Sequence, residues 1–173
     1  MARDYDEEFV EFATASLPAL RRTGYLMCGD WHRAEDAAQE ALIRVYRSWH
    51  RVERREGLRA YARRTTVRIL IDESRRPWRR ETPTGEQYDA GVPDPTVRSD
   101  ERDAMMRALS SLSPRRRACV VLRYYHDLSV AETARALGCS EGTVKSQTSD
   151  ALSTLRRLLG DAVVPDPLGA RHD

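Results

Sequence analysis

An all-α fold of two small helical domains joined by a flexible linker, the C-terminal one containing a helix-turn-helix, is what this sequence predicts, and three features predict it. Apolar residues recur at three- and four-residue steps along most of the chain, without the strict alternation of a half-buried strand. Cap residues punctuate those stretches: Asp30, Ser113-Pro114, Ser129 and Ser140 stand at starts, Gly29 and Gly138 at ends. Between the two sets, Glu81 to Ser99 holds three prolines, two glycines and almost no apolar side chains, the composition of a linker.

Taken in order, Phe9, Phe12 and Ala13 give a first short apolar face, and Pro18 is expected in the first turn of a second helix that reaches Cys28. Asp30 caps the next helix, whose Ala34, Ala37, Ala38, Ala41, Leu42, Val45, Tyr46 and Trp49 form a broad inward stripe. A further helix spans about Leu58 to Trp78, with Leu58, Tyr61, Ala62, Thr65, Ile69 and Leu70 inward, Arg59, Arg63, Arg64, Arg68, Arg75 and Arg76 outward, and Pro77 ending or kinking it.

Beyond the linker, Met105, Ala108, Leu109 and Leu112 make one apolar face, and Ser113-Pro114 opens a helix carrying Val120, Val121, Tyr124 and Tyr125. Ser129-Val130-Ala131-Glu132 matches a capping box, and Gly138 supplies the left-handed residue that ends the helix after it. Ser140 caps the last helix, with Val144, Thr148, Ala151, Leu152 and Leu155 inward. The boundaries expected are 1–80 and 100–159 for the domains, 81–99 for the linker and 160–173 for a disordered tail.

A net charge of +2 conceals a striped distribution. Residues 54–80 hold ten Arg against three acids, and residues 100–159 hold ten Lys or Arg against seven. Residues 81–99 hold one Arg against four acids. Two basic segments flanking an acidic one fit a polyanion gripped at two places. Cys28, Cys119 and Cys139 are widely spaced, and neither they nor His32, His50, His126 and His172 have ligand spacing, so no metal, cofactor or disulfide framework is expected. The acidic start and the lack of a long apolar run predict neither a secretory signal nor a membrane span, hence a cytoplasmic location.

The segment LSVAETARALGCSEGTVKSQTSDALSTL is the most diagnostic. Ala134 where two helices must touch, Gly138 four residues on and Val144 six after that have the spacing of a helix-turn-helix. Its second helix exposes Glu141, Thr143, Lys145, Ser146, Gln147, Ser149 and Asp150, groups that reach phosphates or base edges. In the first domain, Trp78 lies among Arg75, Arg76, Arg79 and Arg80, and aromatic groups beside phosphate-binding cations suit single-stranded or melted nucleic acid.

The ordered blocks AEDAAQEALIRVYRSW, TVRILIDESRRPWRRE and SLSPRRRACVVLRYYHDLSVAETARALGCSEGTVKSQ resemble the extracytoplasmic-function sigma factors of the sigma-70 family, in particular the actinobacterial SigE-like group. The resemblance runs from about Phe9 to Leu159 and makes the two domains sigma domains two and four. It implies a promoter-specificity subunit of RNA polymerase without catalytic residues, monomeric when free, whose partners are core polymerase, promoter DNA in duplex and melted form, and an anti-sigma factor. By it, Asp36, Gln39, Glu40, Ile43 and Arg44 dock on the clamp coiled coil of the polymerase, and Met105, Leu109, Leu112 and Val121 help meet the flap. Arg64, Arg68, Asp72, Arg75 and Arg76, joined by Trp78 and Arg79, read and melt the minus-ten element, and the helix from Ser140 reads the minus-thirty-five element. Arg68 stands where an Asn is common, and Gln147 and Asp150 where Arg is frequent, so promoter sequence does not transfer from relatives.

Two other readings were weighed against this one. A regulator with a LuxR-like helix-turn-helix would share the TVK-type recognition helix but has no need of the Arg/Trp segment or of a docking helix. A nuclease would need acids at metal spacing, whereas Glu35, Asp36 and Glu40 read more simply as a solvated helix face.

Overall fold

The computed structural model describes residues 2–52, 55–76 and 100–161, which divide into two compact units. The first contains α1 (Ala2–Cys28), α2 (Trp31–Trp49) and α3 (Leu58–Ser74); the second contains α4 (Asp100–Ser110), α5 (Pro114–Val120), α6 (Val130–Leu137) and α7 (Glu141–Leu159). No strand occurs among the described residues. The expected linker and residues 162–173 of the expected tail lie outside them, as do Pro77, Trp78 and Arg79.

Each helix of the first unit packs on the other two. Where two N-terminal helices are expected, one helix runs from Ala2 to Cys28 with Pro18 inside it. An interior proline removes one helical hydrogen bond, a defect of ~3 kcal/mol. Thr14, whose carbonyl loses its donor, and Pro18 itself are both exposed, so water serves that carbonyl. Apolar side chains on both sides of the proline, Phe9, Phe12, Ala13 and Leu17 before it and Leu20 after it, pack into one core with α2, and that burial outweighs the defect.

In α2 the Asp30 carboxylate accepts from the His32 and Arg33 amides at 2.8 and 3.1 Å, as its N-cap position predicts. Every expected stripe residue is buried except Tyr46, which is 41% exposed. Tyr46 instead closes the α1–α2 edge: its ring lies 4.8 Å from that of Phe9, and its hydroxyl donates to Asp6 at 3.1 Å, which raises its pKa above the usual tyrosine value. Trp49 is fully buried, meets the rings of Phe9 and Phe12 at 5.3 Å, and donates its indole N–H to the Tyr5 carbonyl at 3.1 Å.

The approach of α1 to α2 is set by Gly24, where a Cβ would stand 2.8 Å from the Cα of fully buried Ala34. Gly24→Val should therefore push the helices apart and cost at least ~1–3 kcal/mol. A thermal midpoint equal to or above that of the parent protein would refute this contact.

α3 buries Leu58, Ala62, Thr65, Thr66, Val67, Leu70 and Ile71, whereas Tyr61 and Ile69, expected inward, are only partly covered. Because α3 touches both α1 and α2, its buried sector is wider than the single stripe that periodicity outlines. The helix ends at Ser74, short of the expected Trp78; a residue before proline is kept out of the α region, and Arg76 precedes Pro77.

In the second unit α7 is the central element, contacting α4, α5 and α6. Leu122, Val144 and Leu152 are fully buried in its core. Ser113 sits at the N-cap of α5 but makes no side-chain cap bond; Pro114, which has no N–H to satisfy, opens the helix instead. After Val120 the backbone widens into a π turn over Val121–Tyr125, closed by the His126 amide on the Val121 carbonyl at 3.1 Å. The wider turn rotates the side chains within it, so Tyr125, expected on the apolar face, is 49% exposed, while Leu122 is buried. Cys119 is buried as well, and that burial pushes its thiol pKa up to about 11, as for a core hydrophobe rather than a reactive thiol.

Candidate nucleic-acid interface

Local hydrogen bonds fix the bihelical element of the second unit. Ser129 Oγ accepts from the Glu132 amide at 3.1 Å while Glu132 accepts from the Ser129 amide at 2.8 Å, completing the capping box of α6. Gly138 follows with φ of 64°, a conformation that costs a residue with a Cβ, and the Cys139 amide returns to the Ala134 carbonyl at 3.1 Å. Ser140 Oγ then accepts from the Thr143 amide at 3.1 Å and starts α7.

From that start, the positions buried along α7 are Val144, Thr148, Ala151, Leu152 and Leu155. This register turns Ser140, Glu141, Lys145, Ser146, Ser149 and Asp150 to solvent and leaves Thr143 and Gln147 half-buried. Not all are equally available to a ligand. The Thr143 hydroxyl lies 2.9 Å from that of Ser140, and the Ser146 hydroxyl donates to the Thr143 carbonyl at 3.2 Å. Asp150 accepts from Arg116 of α5 at 2.8 Å. Glu141, Lys145, Ser149 and the half-buried Gln147 are left as the groups not engaged in capping, an acid, a cation and groups fitted to base edges.

In the first unit, Arg68 and Asp72 of α3 and Arg75 and Arg76 just beyond it are exposed. Arg75 and Arg76 follow the C-terminus of the helix, their amides bound to the Asp72 and Glu73 carbonyls, where the helix dipole favours cations. Arg64 is half-buried, with its guanidinium 5.4 Å from the centre of the Tyr61 ring.

On α2, Asp36, Gln39, Ile43 and Arg44 are exposed and Glu40 is half-buried, so all five lie on the side away from the core. Arg44 pairs with Glu40 at 2.9 Å, Gln39 donates to Glu35 at 3.2 Å, and His32 lies 3.4 Å from Asp36. Ile43, 46% exposed among these polar groups, is an apolar side chain without an apolar neighbourhood of its own.

One set of expected contact residues requires correction. Leu109, Leu112 and Val121 are buried in the core of the second unit and cannot themselves form a surface; of that set only Met105 is partly accessible. Their apolar character reflects burial in that core.

Arg116 was not anticipated as a site residue. A signal for it exists in the sequence: the positions three and four residues from Asp150 along α7 are Ser146, Gln147, Ser153 and Thr154, so no cation on its own helix can pair with it. Among the described residues no group of three or more His, Cys, Asp and Glu is gathered as for a metal ion.

Comparison with known proteins gives two family matches, Sigma-70 region 2 over residues 12–80 and Sigma-70 region 4 over residues 102–155. The chain is 37% identical over 152 residues to an RNA polymerase sigma-E factor of Streptomyces avermitilis, covering 88% of this chain and 85% of that one. It is 35% identical to the ECF RNA polymerase sigma factor SigM of Mycobacterium tuberculosis, covering 82% of this chain and 71% of that one. Among solved structures it is similar to the sigma factor RpoE of Bartonella quintana, crystallised with the anti-sigma factor NepR, at a TM-score of 0.70 and 25% identity over 90% of this chain and 98% of that one.

Proposed function

Because the chain belongs to the sigma-70 family, in its extracytoplasmic-function branch, we propose a division of labour between its two units in starting transcription at promoters. As an RNA polymerase sigma factor it confers promoter specificity on the enzyme. Region 4, within an assigned 100–159, reads minus-thirty-five duplex through the outward face of α7 from Ser140 to Ser149. Region 2, within an assigned 1–80, docks on core polymerase through Asp36, Gln39, Glu40, Ile43 and Arg44. It holds the minus-ten element with Arg64, Arg68, Asp72, Arg75 and Arg76, together with Trp78 and Arg79 beyond the described residues. The acidic stretch 81–99 connects them. Core polymerase performs the nucleotidyl transfer, and this chain adds no catalytic group to it.

The observation that carries this reading is the register of α7, which buries Val144, Ala151, Leu152 and Leu155 and leaves Lys145, Gln147 and Ser149 off that buried face at the end of a capped helix-turn-helix. A LuxR-like regulator would share that helix, but the region 2 match over residues 12–80 supports a sigma domain there rather than a sensor. No helix among the described residues is long and apolar enough to cross a membrane, and the place of action proposed is the cytoplasm, with polymerase. The solved relative in complex with an anti-sigma factor supports an inhibitory partner of that kind for this chain too.

Transcription by purified core polymerase, with and without the chain, on genomic fragments tests the reading: specific starts should appear only when both are present. Placing a charge at the apolar centre of the docking face, Ile43→Glu, should weaken capture of core polymerase by about tenfold or more, the effect of burying an unpaired charge in an interface. Undiminished capture by a folded Ile43→Glu protein would remove α2 from the docking surface.

A further inference from the structure

An acid on a helix that enters DNA needs an account, because a carboxylate facing phosphates is repelled. Asp150 lies nine residues beyond Glu141 on α7, about 13.5 Å along the axis at ~1.5 Å per residue. That exceeds the ~12 Å width of a major groove whose bases are read by the first turns of a recognition helix, so Asp150 falls where the helix meets the flanking phosphate backbone. There its carboxylate accepts from Arg116 of α5 at 2.8 Å, with 56% of the Asp150 side chain and 43% of the Arg116 side chain exposed.

We propose, resting on the assignment of α7 to minus-thirty-five DNA, that Asp150 is a positioning residue for Arg116, and that Arg116 is a phosphate-binding residue of the promoter surface. A guanidinium has five donors in a fixed fork, so an Arg that spends one or two on a carboxylate keeps the rest for a phosphate oxygen. Asp150 removes rotamer freedom from a long side chain that otherwise sweeps solvent, and holds the cation beside the outward face of α7. The repulsion from the carboxylate is spread over a distance that physiological salt screens within ~8 Å, whereas the direct Arg–phosphate contact is short and charge-assisted. Stability does not account for the pair, since an ion pair this exposed contributes little to folding. The promoter-reading surface of the second unit thus spans two helices, α7 for bases and α5 for backbone.

The two possible roles of Asp150 have opposite signs, which makes them separable. A carboxylate that only repels DNA gives tighter binding when removed; one that positions Arg116 gives weaker binding. The measurement uses holoenzyme assembled from core polymerase and the full chain, titrated at several KCl concentrations onto a duplex promoter fragment taken from a mapped transcription start. A second fragment with its minus-thirty-five element scrambled serves as reference. Asp150→Ala is expected to weaken binding to the intact fragment about fivefold and to reduce the slope of log K against log salt by about 0.9, the loss of one phosphate contact. Arg116→Ala should match it, Asp150→Glu should stay within about twofold of the parent, and the double alanine variant should be no weaker than Arg116→Ala alone. Unchanged thermal unfolding of each variant shows that folding is not what moved. Tighter or equal binding by Asp150→Ala, or additive losses in the double variant, overturns the positioning role. A parent holoenzyme that treats both fragments alike overturns the assignment of α7 itself and is recognised before any variant is compared.

Discussion

Trp49→Ala is expected to unfold the first unit at temperatures where the second remains folded. Trp49 is fully buried between α1 and α2, meets Phe9 and Phe12 edge-on or tilted, donates to the Tyr5 carbonyl and lies under the Arg55 guanidinium at 4.3 Å. Arg55 in turn pairs with Glu8 of α1, so this one ring joins the start of α1, the end of α2 and the turn before α3. Removing a buried Trp costs ~3–5 kcal/mol, against a total that scales at ~0.05–0.15 kcal/mol per residue. Most of the stability of so small a unit is lost. Hydrogen exchange followed by peptide mass should show α1 to α3 deprotected and α4 to α7 unchanged, with Trp49→Phe keeping most of the protection. A Trp49→Ala protein whose α1 and α2 amides stay as protected as in the parent would falsify this view of the core.

The second large effect is expected on the outward face of α7. Replacing Lys145, Gln147 and Ser149 together by alanine removes the cation proposed for a phosphate and the two groups proposed for base edges without touching Val144, Thr148 or Leu152 beneath them. With direct readout at ~1–3 kcal/mol for a good bidentate pair, transcription dependent on the minus-thirty-five element should fall about 100-fold or more while capture of core polymerase stays the same. The single changes should differ in kind. Lys145→Ala weakens all sequences alike and lowers the salt slope, whereas Gln147→Ala relaxes the preference at one base pair. Retention of minus-thirty-five discrimination by the triple variant would show that another element reads the promoter.

The parts of the fold legible in the sequence are those governed by local chemistry. A cap residue acts within three or four positions of itself, so Asp30, the Ser129–Glu132 box, Gly138 and Ser140 announced their helix ends, and the structure bonds each as expected. α7 meets α4, α5 and α6 within one narrow sector, so its five buried positions keep the three- and four-residue step that the sequence shows. The pattern misleads where the covered sector is wide. α3 is covered from two sides, so a single stripe misplaced Tyr61 and Ile69; Val121 starts a π turn that no three-or-four-residue period encodes.

Composition, caps and periodicity alone determined that the chain is helical, that two basic segments flank an acidic stretch, and that its final helix presents a polar face. The tertiary structure decided that Pro18 lies within a continuous helix, because burial on both sides of it outweighs one lost hydrogen bond. It also decided that Leu109, Leu112 and Val121 are core rather than surface, because the packed helices of the second unit bury all three. And it decided that Asp150 is engaged by Arg116, thirty-four positions away. Pairing between distant residues depends on how helices pack, a sum of many small contacts that no local rule contains.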